Sequence, residues 1–193
     1  MSTHLLMGRI VVTEFMSLDG VIEAPGGGED YKHGGWTFDI SRGEEGDQFK
    51  LDETMASDAL LLGRRTYEGF AAAWPTREGE FADKFNSMPK YVVSSTLKDP
   101  EWNNTTVLDG ELADEVAKLK EQQDGDIVVH GSAQLVQALI ENDLVDELRL
   151  MVFPVVLGTG KTLFGETSDK KTLQLRDSKI VGDGVAILVY ARG

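Results

Sequence analysis

The sequence predicts an α/β fold with a mixed, mostly parallel central sheet flanked by helices and an antiparallel C-terminal hairpin. Two observations lead to this prediction. From residue 9 to residue 142, short apolar runs alternate with segments that have helical periodicity, which is typical of strand–helix–strand units. After residue 145 two further runs flank Asp183-Gly184, a pair that favours a hairpin turn. The chain contains no repeat and no linker, so we expect one domain over residues 1–193.

The composition excludes several classes of function. The 193 residues include 33 acidic and 19 basic side chains, and the net charge of −14 opposes binding to nucleic acid or to an anionic membrane. No apolar run is long enough to span a bilayer. The absence of cysteine rules out disulfides and thiolate metal sites. We therefore expect a cytoplasmic protein that contacts neither nucleic acid nor a membrane.

The first strand is predicted at residues 9–16, where β-branched and aromatic residues dominate. The sequence SLDG at 17–20 follows as a turn, and Asp19 suits such a turn because its side chain can accept local hydrogen bonds. Residues 25–36 hold five glycines and form a predicted loop. This loop is either a surface excursion or a lid over a site at the end of the first strand.

A helix is predicted at residues 44–57, with Phe49 and Met55 on its inward side. Both strands and helices are predicted up to residue 142, and only strands follow. Further strands are predicted at residues 59–62, 90–93, 105–108, 126–129, 146–153, 173–180 and 185–190, and further helices at residues 64–74, 81–87, 111–122 and 133–142.

The segment around Gly63 predicts an anion site. An apolar strand ends there and a helix begins, so the backbone N–H groups of the first helical turn are unpaired beside the positive end of the helix dipole. Arg64 and Arg65 add two full positive charges in a chain that is otherwise acidic. Taken alone, the segment is also compatible with a turn that carries solvated arginines.

Two other predicted strands end in similar chemistry. Ser94-Ser95-Thr96 and Gly131-Ser132-Ala133 each follow an apolar run, as Gly63-Arg64-Arg65-Thr66 does. The carboxyl ends of parallel strands lie along one edge of a sheet, so these groups are expected to meet there. Each alone is explained by a turn or a helix cap. Together they suit a ligand with several phosphates, such as a dinucleotide, and arginine with serine suits an additional 2′-phosphate.

Other ligand motifs are weak. His4, His33 and His130 are scattered, with no carboxylate at ligand spacing, so we expect no metal site. The run Gly158-Thr159-Gly160-Lys161 resembles the end of a nucleotide-triphosphate loop. However, Val155 stands where that motif requires glycine, and we expect the run to connect two strands.

Five stretches of the chain resemble the dihydrofolate reductase superfamily, and most closely its branch related to the C-terminal reductase domain of riboflavin-biosynthesis deaminase-reductases. They occur in the family's order and cover most of the chain. This resemblance implies a dihydrofolate-reductase-like single domain that binds NADPH, and it favours a homodimer. The stretches are SLDGVI (17–22), LLLGRRTYEGF (60–70), KYVVSST (90–96), VVHGSAQLVQALI (128–140) and VDELRLMVFPVVLGTGKTLFG (145–165).

The resemblance also implies roles for single residues. On the substrate side, Asp47 falls where folate reductases place a carboxylate that could relay a proton, although a solvated position is the alternative in so acidic a helix. The cofactor residues are implied as follows: Gly63, Arg64, Arg65 and Thr66 hold phosphates, Ser94 and Ser95 the 2′-phosphate, Gly131, Ser132, Ala133 and Gln134 the pyrophosphate and ribose, while Leu135 lines the pocket and Ile22 borders the nicotinamide.

We therefore expect an NADPH-dependent reductase that transfers hydride to a small heterocyclic substrate, either pterin-like or pyrimidine-like. Two alternatives stay open. One is 5-amino-6-(5-phosphoribosylamino)uracil reductase-type activity in riboflavin biosynthesis, which requires a second anion site and has Lys161 as its candidate. The other is a non-catalytic NADP-binding module, which would keep the phosphate residues without turnover.

Overall fold

The structure is a computed structural model that describes residues 7–28 and 30–193. A single turn of 3-10 helix, Trp36–Asp39, precedes the first α-helix. The strands of the described residues are β1 (Arg9–Ser17), β2 (Ser57–Gly63), β3 (Lys90–Val93), β4 (Thr105–Leu108), β5 (Asp126–His130), β6 (Glu147–Phe153), β7 (Leu173–Val181) and β8 (Val185–Arg192), and the helices are α1 (Gly43–Ala56), α2 (Arg64–Ala73), α3 (Glu80–Ser87), α4 (Leu112–Gln122) and α5 (Ala133–Glu141).

The strands form one sheet in the order β4-β3-β2-β5-β1-β6-β8-β7. The strands from β4 to β6 pair in parallel, whereas β8 pairs antiparallel with both β6 and β7. The predicted fold class, including the antiparallel C-terminal hairpin, is therefore confirmed. Because β2, β3 and β5 are parallel neighbours, their carboxyl ends lie side by side.

Helices cover both faces of the parallel part of the sheet. Strand side chains alternate between the two faces, so each strand supplies both cores. On the α4–α5 face, apolar residues of the two helices pack on β1, β2 and β5. On the opposite face, which we call the α1–α3 face, Tyr67 of α2 and Phe85 of α3 pack on Leu60 and Leu62. Farther along this face Phe49 of α1 packs beside a second cluster.

Helix α1 buries an unusual set of side chains. Phe49 is partly buried, as predicted, but the prediction that Met55 faces inward was wrong because its side chain is 41% exposed. The inward positions are instead occupied by Lys50, Glu53 and Thr54. Because these polar groups are buried, α1 has no apolar periodicity that could mark its inner face.

The predicted glycine-rich loop is held against residues 157–162. Trp36 is buried, and its indole N–H donates to the carbonyl oxygen of Glu23 at 2.9 Å. The Tyr31 hydroxyl donates to the Thr159 carbonyl oxygen at 2.7 Å, and the Glu23 carboxylate accepts from the backbone N–H of Lys161 at 2.8 Å. These bonds fix the loop beside the end of β1. No helix in the described part of the chain is long and apolar enough to cross a membrane.

Candidate functional site

Two helix N-termini meet at the edge where the parallel strands end. Gly63 precedes α2 and Ser132 precedes α5, and neither helix has a side-chain cap. The backbone N–H of Gly63 donates to Ser132 Oγ at 2.9 Å, and this hydroxyl donates in turn to the carbonyl oxygen of His130 at 3.2 Å. One hydroxyl therefore joins the ends of β2 and β5. The unpaired N–H groups of both helices converge there, as the sequence predicted.

The local backbone explains why small residues occupy this junction. A Cβ on Gly63 would lie 3.3 Å from Ser132 Oγ, and one on Gly131 would lie 3.1 Å from Thr66 Oγ1. Gly131 also has a φ of +55°, and Ser132 has the left-handed values φ 60° and ψ 52°. Left-handed backbone is uncommon outside glycine, so the turn presents its peptide groups at the cost of local strain.

The two arginines of α2 differ in their partners. Arg64 forms an ion pair with Glu68 at 2.8 Å, and its other nitrogen donates to Thr96 Oγ1 at 2.7 Å. Arg65 is exposed and makes no hydrogen bond or ion pair within the described residues. Arg64 is thus aimed towards the end of β3, whereas the charge of Arg65 is available to a ligand.

A cavity of about 410 Å³ opens at the end of β3. The Ser94 hydroxyl accepts hydrogen bonds from the backbone N–H groups of Thr96, at 3.2 Å, and of Leu97, at 3.0 Å, which shapes the turn after the strand. Asp109 brings a carboxylate to the same cavity. The residues that line it are Arg64, Val93, Ser94, Ser95, Thr96, Leu108, Asp109 and Gly110.

The other residues implied for the cofactor also lie near this edge. Ala133 begins α5 and is followed by Gln134, which is exposed. Leu135 and Ile22 are both buried in the core of the α4–α5 face. The backbone N–H of Ile22 donates to the Lys161 carbonyl oxygen at 2.9 Å. The roles implied for these residues stay predictions.

Asp47 lies apart from this edge group. Its carboxylate is 67% exposed and forms an ion pair with Arg42 at 2.5 Å. The side chains that α1 turns inward are Lys50, Glu53 and Thr54 instead. The catalytic role implied for Asp47 stays a prediction, and the outward position of its side chain gives that role no support.

Asp19 has the turn-forming role that the sequence suggested. Its carboxylate accepts hydrogen bonds from Ser17 Oγ at 2.6 Å and from the backbone N–H groups of Leu157, at 3.1 Å, and Gly158, at 2.7 Å. These bonds favour the charged form and lower the pKa of Asp19 to about 2. Asp19 therefore fastens residues 157–158 to the end of β1.

Glu14 is a site residue that sequence reasoning missed. It is buried at the α5 side of β1, where its Oε2 accepts the backbone N–H of Gly131 at 3.1 Å. Its Oε1 has no hydrogen-bond partner among the described residues. Burial raises the pKa of Glu14 well above its usual value. A signal was available, because Glu14 continues the inward series Ile10 and Val12 in an apolar strand.

A second missed group lies on the α1–α3 face. The Lys50 ammonium donates to Thr13 Oγ1 at 2.8 Å and to Glu53 Oε1 at 2.6 Å. Glu53 also pairs with Arg149 at 3.4 Å. His130 ends β5 on this face, opposite Thr13. The described residues contain no cluster of His, Asp and Glu side chains that could hold a metal ion, and His4 lies outside them.

Comparisons with known proteins give the same fold. The family described as the RibD C-terminal domain matches residues 9–189. The uncharacterized protein YyaP of Bacillus subtilis strain 168 is 30% identical over 195 residues, which cover 98% of this chain and 98% of YyaP.

Two solved structures are similar over nearly their whole length. A protein described as a candidate riboflavin biosynthesis protein from Shewanella sp. PV-4 has a TM-score of 0.77 at 23% identity, covering 96% of this chain and 99% of its own. The pyrimidine reductase-like protein DIP1392 of Corynebacterium diphtheriae has a TM-score of 0.65 at 12% identity, covering 96% and 92%. At these identities the two structures establish the fold.

Proposed function

The chain belongs to the RibD C-terminal domain family, a family of reductases, and on this premise we propose that it is an NADPH-dependent reductase. Its substrate is a small heterocycle of pterin or pyrimidine type. The observation that carries the proposal is the junction at which Ser132 Oγ joins the N-termini of α2 and α5 beside the unpaired Arg65. Two helix N-termini and an arginine suit the two phosphates of a dinucleotide.

The residues present fit a dinucleotide. A pyrophosphate requires close approach to backbone N–H groups, and the absence of a Cβ at Gly63 and Gly131 permits it. The adenosine end then extends towards the cavity after β3, which is lined by Arg64, Ser94 and Ser95. When NADPH is bound, its nicotinamide supplies a hydride to the substrate.

This placement of the cofactor assigns separate roles to the cofactor-binding turns and to the proton donor. The glycine turns and helix N-termini hold and orient the cofactor, because catalysis by hydride transfer depends on the position of the two reacting carbons. The substrate gains one hydride and one proton across a C=N or C=O bond. The proton comes from solvent or from an acidic side chain of the protein, and Asp47 is the residue that the resemblance implies for this role.

Selectivity between NADPH and NADH is the decisive property of the cavity after β3. Arg64, Ser94 and Ser95 favour a 2′-phosphate, whereas the carboxylate of Asp109 repels one. Arginine and the two hydroxyls together provide several charge-assisted and neutral hydrogen bonds against one repulsive contact. We expect the balance to favour NADPH.

The test is calorimetric titration of the wild-type protein and three variants, Arg64→Ala, Arg65→Ala and Ser94→Ala, with NADPH and with NADH. We expect NADPH to bind more tightly than NADH, and each arginine variant to weaken NADPH binding by about tenfold or more, as for the loss of a charge-assisted hydrogen bond. Arg64→Ala and Ser94→Ala should also narrow the preference for NADPH. Arg77→Ala is the matched control, since Arg77 stacks on Trp74 instead. Failure of both nucleotides to bind would refute the dinucleotide site.

Turnover separates this proposal from a non-catalytic NADP-binding module. Oxidation of NADPH is followed at 340 nm with pterins, dihydropterins and ribosylamino-pyrimidines as candidate substrates. Substrate-dependent oxidation that Arg65→Ala weakens through the apparent KM for NADPH supports the reductase. Binding without oxidation by any member of the panel favours the module. Preference for a phosphorylated pyrimidine would favour the riboflavin-pathway activity.

A further inference from the structure

The side chain of His130 takes no part in the proposed cofactor contacts. It is the last residue of β5 and directly precedes the Gly131-Ser132 turn. Its side chain lies on the α1–α3 face, on the side opposite Glu14. The imidazole ring contacts Phe85 of α3, with centroids 5.3 Å apart, and Phe70 of α2, at 6.2 Å.

The ring of His130 lacks the hydrogen bonds that a packed imidazole normally makes. Neither ring nitrogen has a hydrogen-bond partner in the described part of the chain, yet the residue keeps a partly exposed surface. Among the described residues, the fully enclosed polar side-chain atoms without partners are Glu14 Oε1 and Thr54 Oγ1, so the ring nitrogens of His130 are open to water or to a ligand. A ligand that reaches the open part of the ring can therefore form a hydrogen bond that no group of the described residues makes.

The charges around His130 define what that ligand should be. Burial and the nearby Lys50 ammonium lower the pKa of His130 to about 3, and the opposing effect of the Glu53 carboxylate is smaller. The imidazole is therefore neutral at pH 7 and has one N–H donor. The Lys50 ammonium near the ring favours an electron-rich ligand atom, such as a carbonyl oxygen, over a cationic group.

We propose that His130 binds the substrate, donating its ring N–H to a carbonyl oxygen of a flat heterocycle that lies against Phe70. This inference rests on the proposed function, because it places the substrate on the α1–α3 side of the cofactor turn. It narrows the substrate class to heterocycles with a lactam or dione edge, such as pteridinones and pyrimidinediones. His130 is then a residue that determines specificity.

The first experiment observes the imidazole directly. The wild-type protein with ¹³C/¹⁵N-labelled histidine is titrated with lumazine, a pteridine-2,4-dione, and with quinoxaline, a fused ring of similar size without carbonyls. Both titrations are run with and without saturating NADP⁺. We expect lumazine to shift the His130 ring resonances, and quinoxaline to bind about tenfold more weakly. The absence of a His130 shift with lumazine, in both states, would overturn the proposal.

Two substitutions then separate a contact from a packing role. His130→Phe keeps an aromatic ring against Phe70 and Phe85 but removes the donor, and His130→Gln restores a donor. We expect His130→Phe to weaken lumazine binding by about tenfold, His130→Gln to recover part of that loss, and both to bind NADPH as the wild type does. Unchanged lumazine binding by His130→Phe would overturn the proposal. If the wild-type protein does not bind NADPH, that result would instead count against the proposed function. If His130→Phe fails to fold, the wild-type titration still decides.

Discussion

At the scale of single residues, Glu14 couples a buried carboxyl group to the Gly131 turn of the candidate site. Its pKa is raised well above the usual 4.5 by burial, while it supports the Gly131 turn through one hydrogen bond. The unfolded chain releases this proton near pH 4.5, and the native state releases it only at higher pH. In that interval the native state holds one more proton, so its stability falls as pH rises.

We predict that Glu14→Gln removes this pH dependence. The amide keeps the acceptor for the Gly131 N–H and cannot ionise, so the variant should gain stability relative to the wild type as the pH rises above 4.5. The gain is about 1.4 kcal/mol for each pH unit within the interval between the two pKa values. Urea unfolding at several pH values measures it, and Glu121→Gln, at an exposed position of α4, controls for the lost charge. Parallel stability profiles of Glu14→Gln and wild type would contradict the prediction.

At the scale of elements, α1 is fastened to the sheet by buried charges. The side chains of Lys50 and Glu53 are 8% and 2% exposed, and Arg149 of β6 completes the group. Although burial acts to raise the pKa of Glu53, Lys50 and the other nearby cations keep it below its usual value. A buried charge that loses its partner keeps its desolvation cost, so the group should respond strongly to the removal of one member.

We predict that Glu53→Gln lowers the free energy of unfolding by about 3–5 kcal/mol, because it leaves the buried Lys50 ammonium without its counter-charge, whereas Arg149 keeps Asp126 and Glu147. The double variant Lys50→Met with Glu53→Gln should lose less than the sum of the two single variants. Asp52→Asn on the exposed side of the same helix is the control and should cost less than about 0.5 kcal/mol. Additive losses in urea unfolding would show that the two side chains do not act together.

The elements also show how far the sequence could be interpreted. The parallel units were predictable because their apolar runs are separated by glycine turns, such as the one at Gly63. The inner face of α1 could not be predicted, because Lys50 and Glu53 are buried only where they meet polar partners on β1 and β6. The glycine turns at the strand ends, to which we assign phosphate binding as a proposal, were visible in local residue types. The polar groups on the α1–α3 face were not, because contacts such as Thr13 with Lys50 join residues far apart in the chain.

β7 illustrates the same limit. Leu173 and Leu175 alternate with polar residues, but Ile180 breaks that alternation. The register with β8 shifts between Leu175 and Asp177, which inserts one extra residue, Arg176. This bulge returns Ile180 to the face that Leu173 and Leu175 occupy. A bulge cannot be deduced from the alternation of one strand, because it depends on how the partner strand is paired.

At the scale of the whole molecule, β7 leaves one side of the sheet open. It is an edge strand, and Leu173, Leu175 and Ile180 are 38%, 54% and 70% exposed. Residues opposite each other in an antiparallel pair share a face, and Leu175 lies opposite Tyr190 while Ile180 lies opposite Ala186. The exposed apolar side chains of β7 therefore extend the α4–α5 face beyond the helices that cover it.

A second copy of the chain is the partner that we propose for this surface. On this face of β7 only Ser178 separates the apolar side chains, and an exposed, largely apolar edge strand is a site for pairing or for docking of another sheet. The resemblance of the sequence to the riboflavin-biosynthesis reductase domains also favours a homodimer. Because each chain carries a net charge of −14, dimerisation brings two acidic bodies together. Dimer formation should accordingly strengthen when salt screens that repulsion.

We predict that Leu175→Asp converts a dimeric wild type into a monomer, whereas Gln174→Asp leaves the dimer intact. The two residues are neighbours on β7 but point to opposite faces, so the substitutions add the same charge to the same strand. At Leu175 the new carboxylate would be buried in the apolar contact, which should weaken association by at least about tenfold. Multi-angle light scattering at micromolar concentration measures the mass of each variant, and NADPH binding checks that each is folded. A monomeric wild type would refute the homodimer. Equal dissociation of the two variants would instead place the contact along the strand edge, where both faces are affected alike.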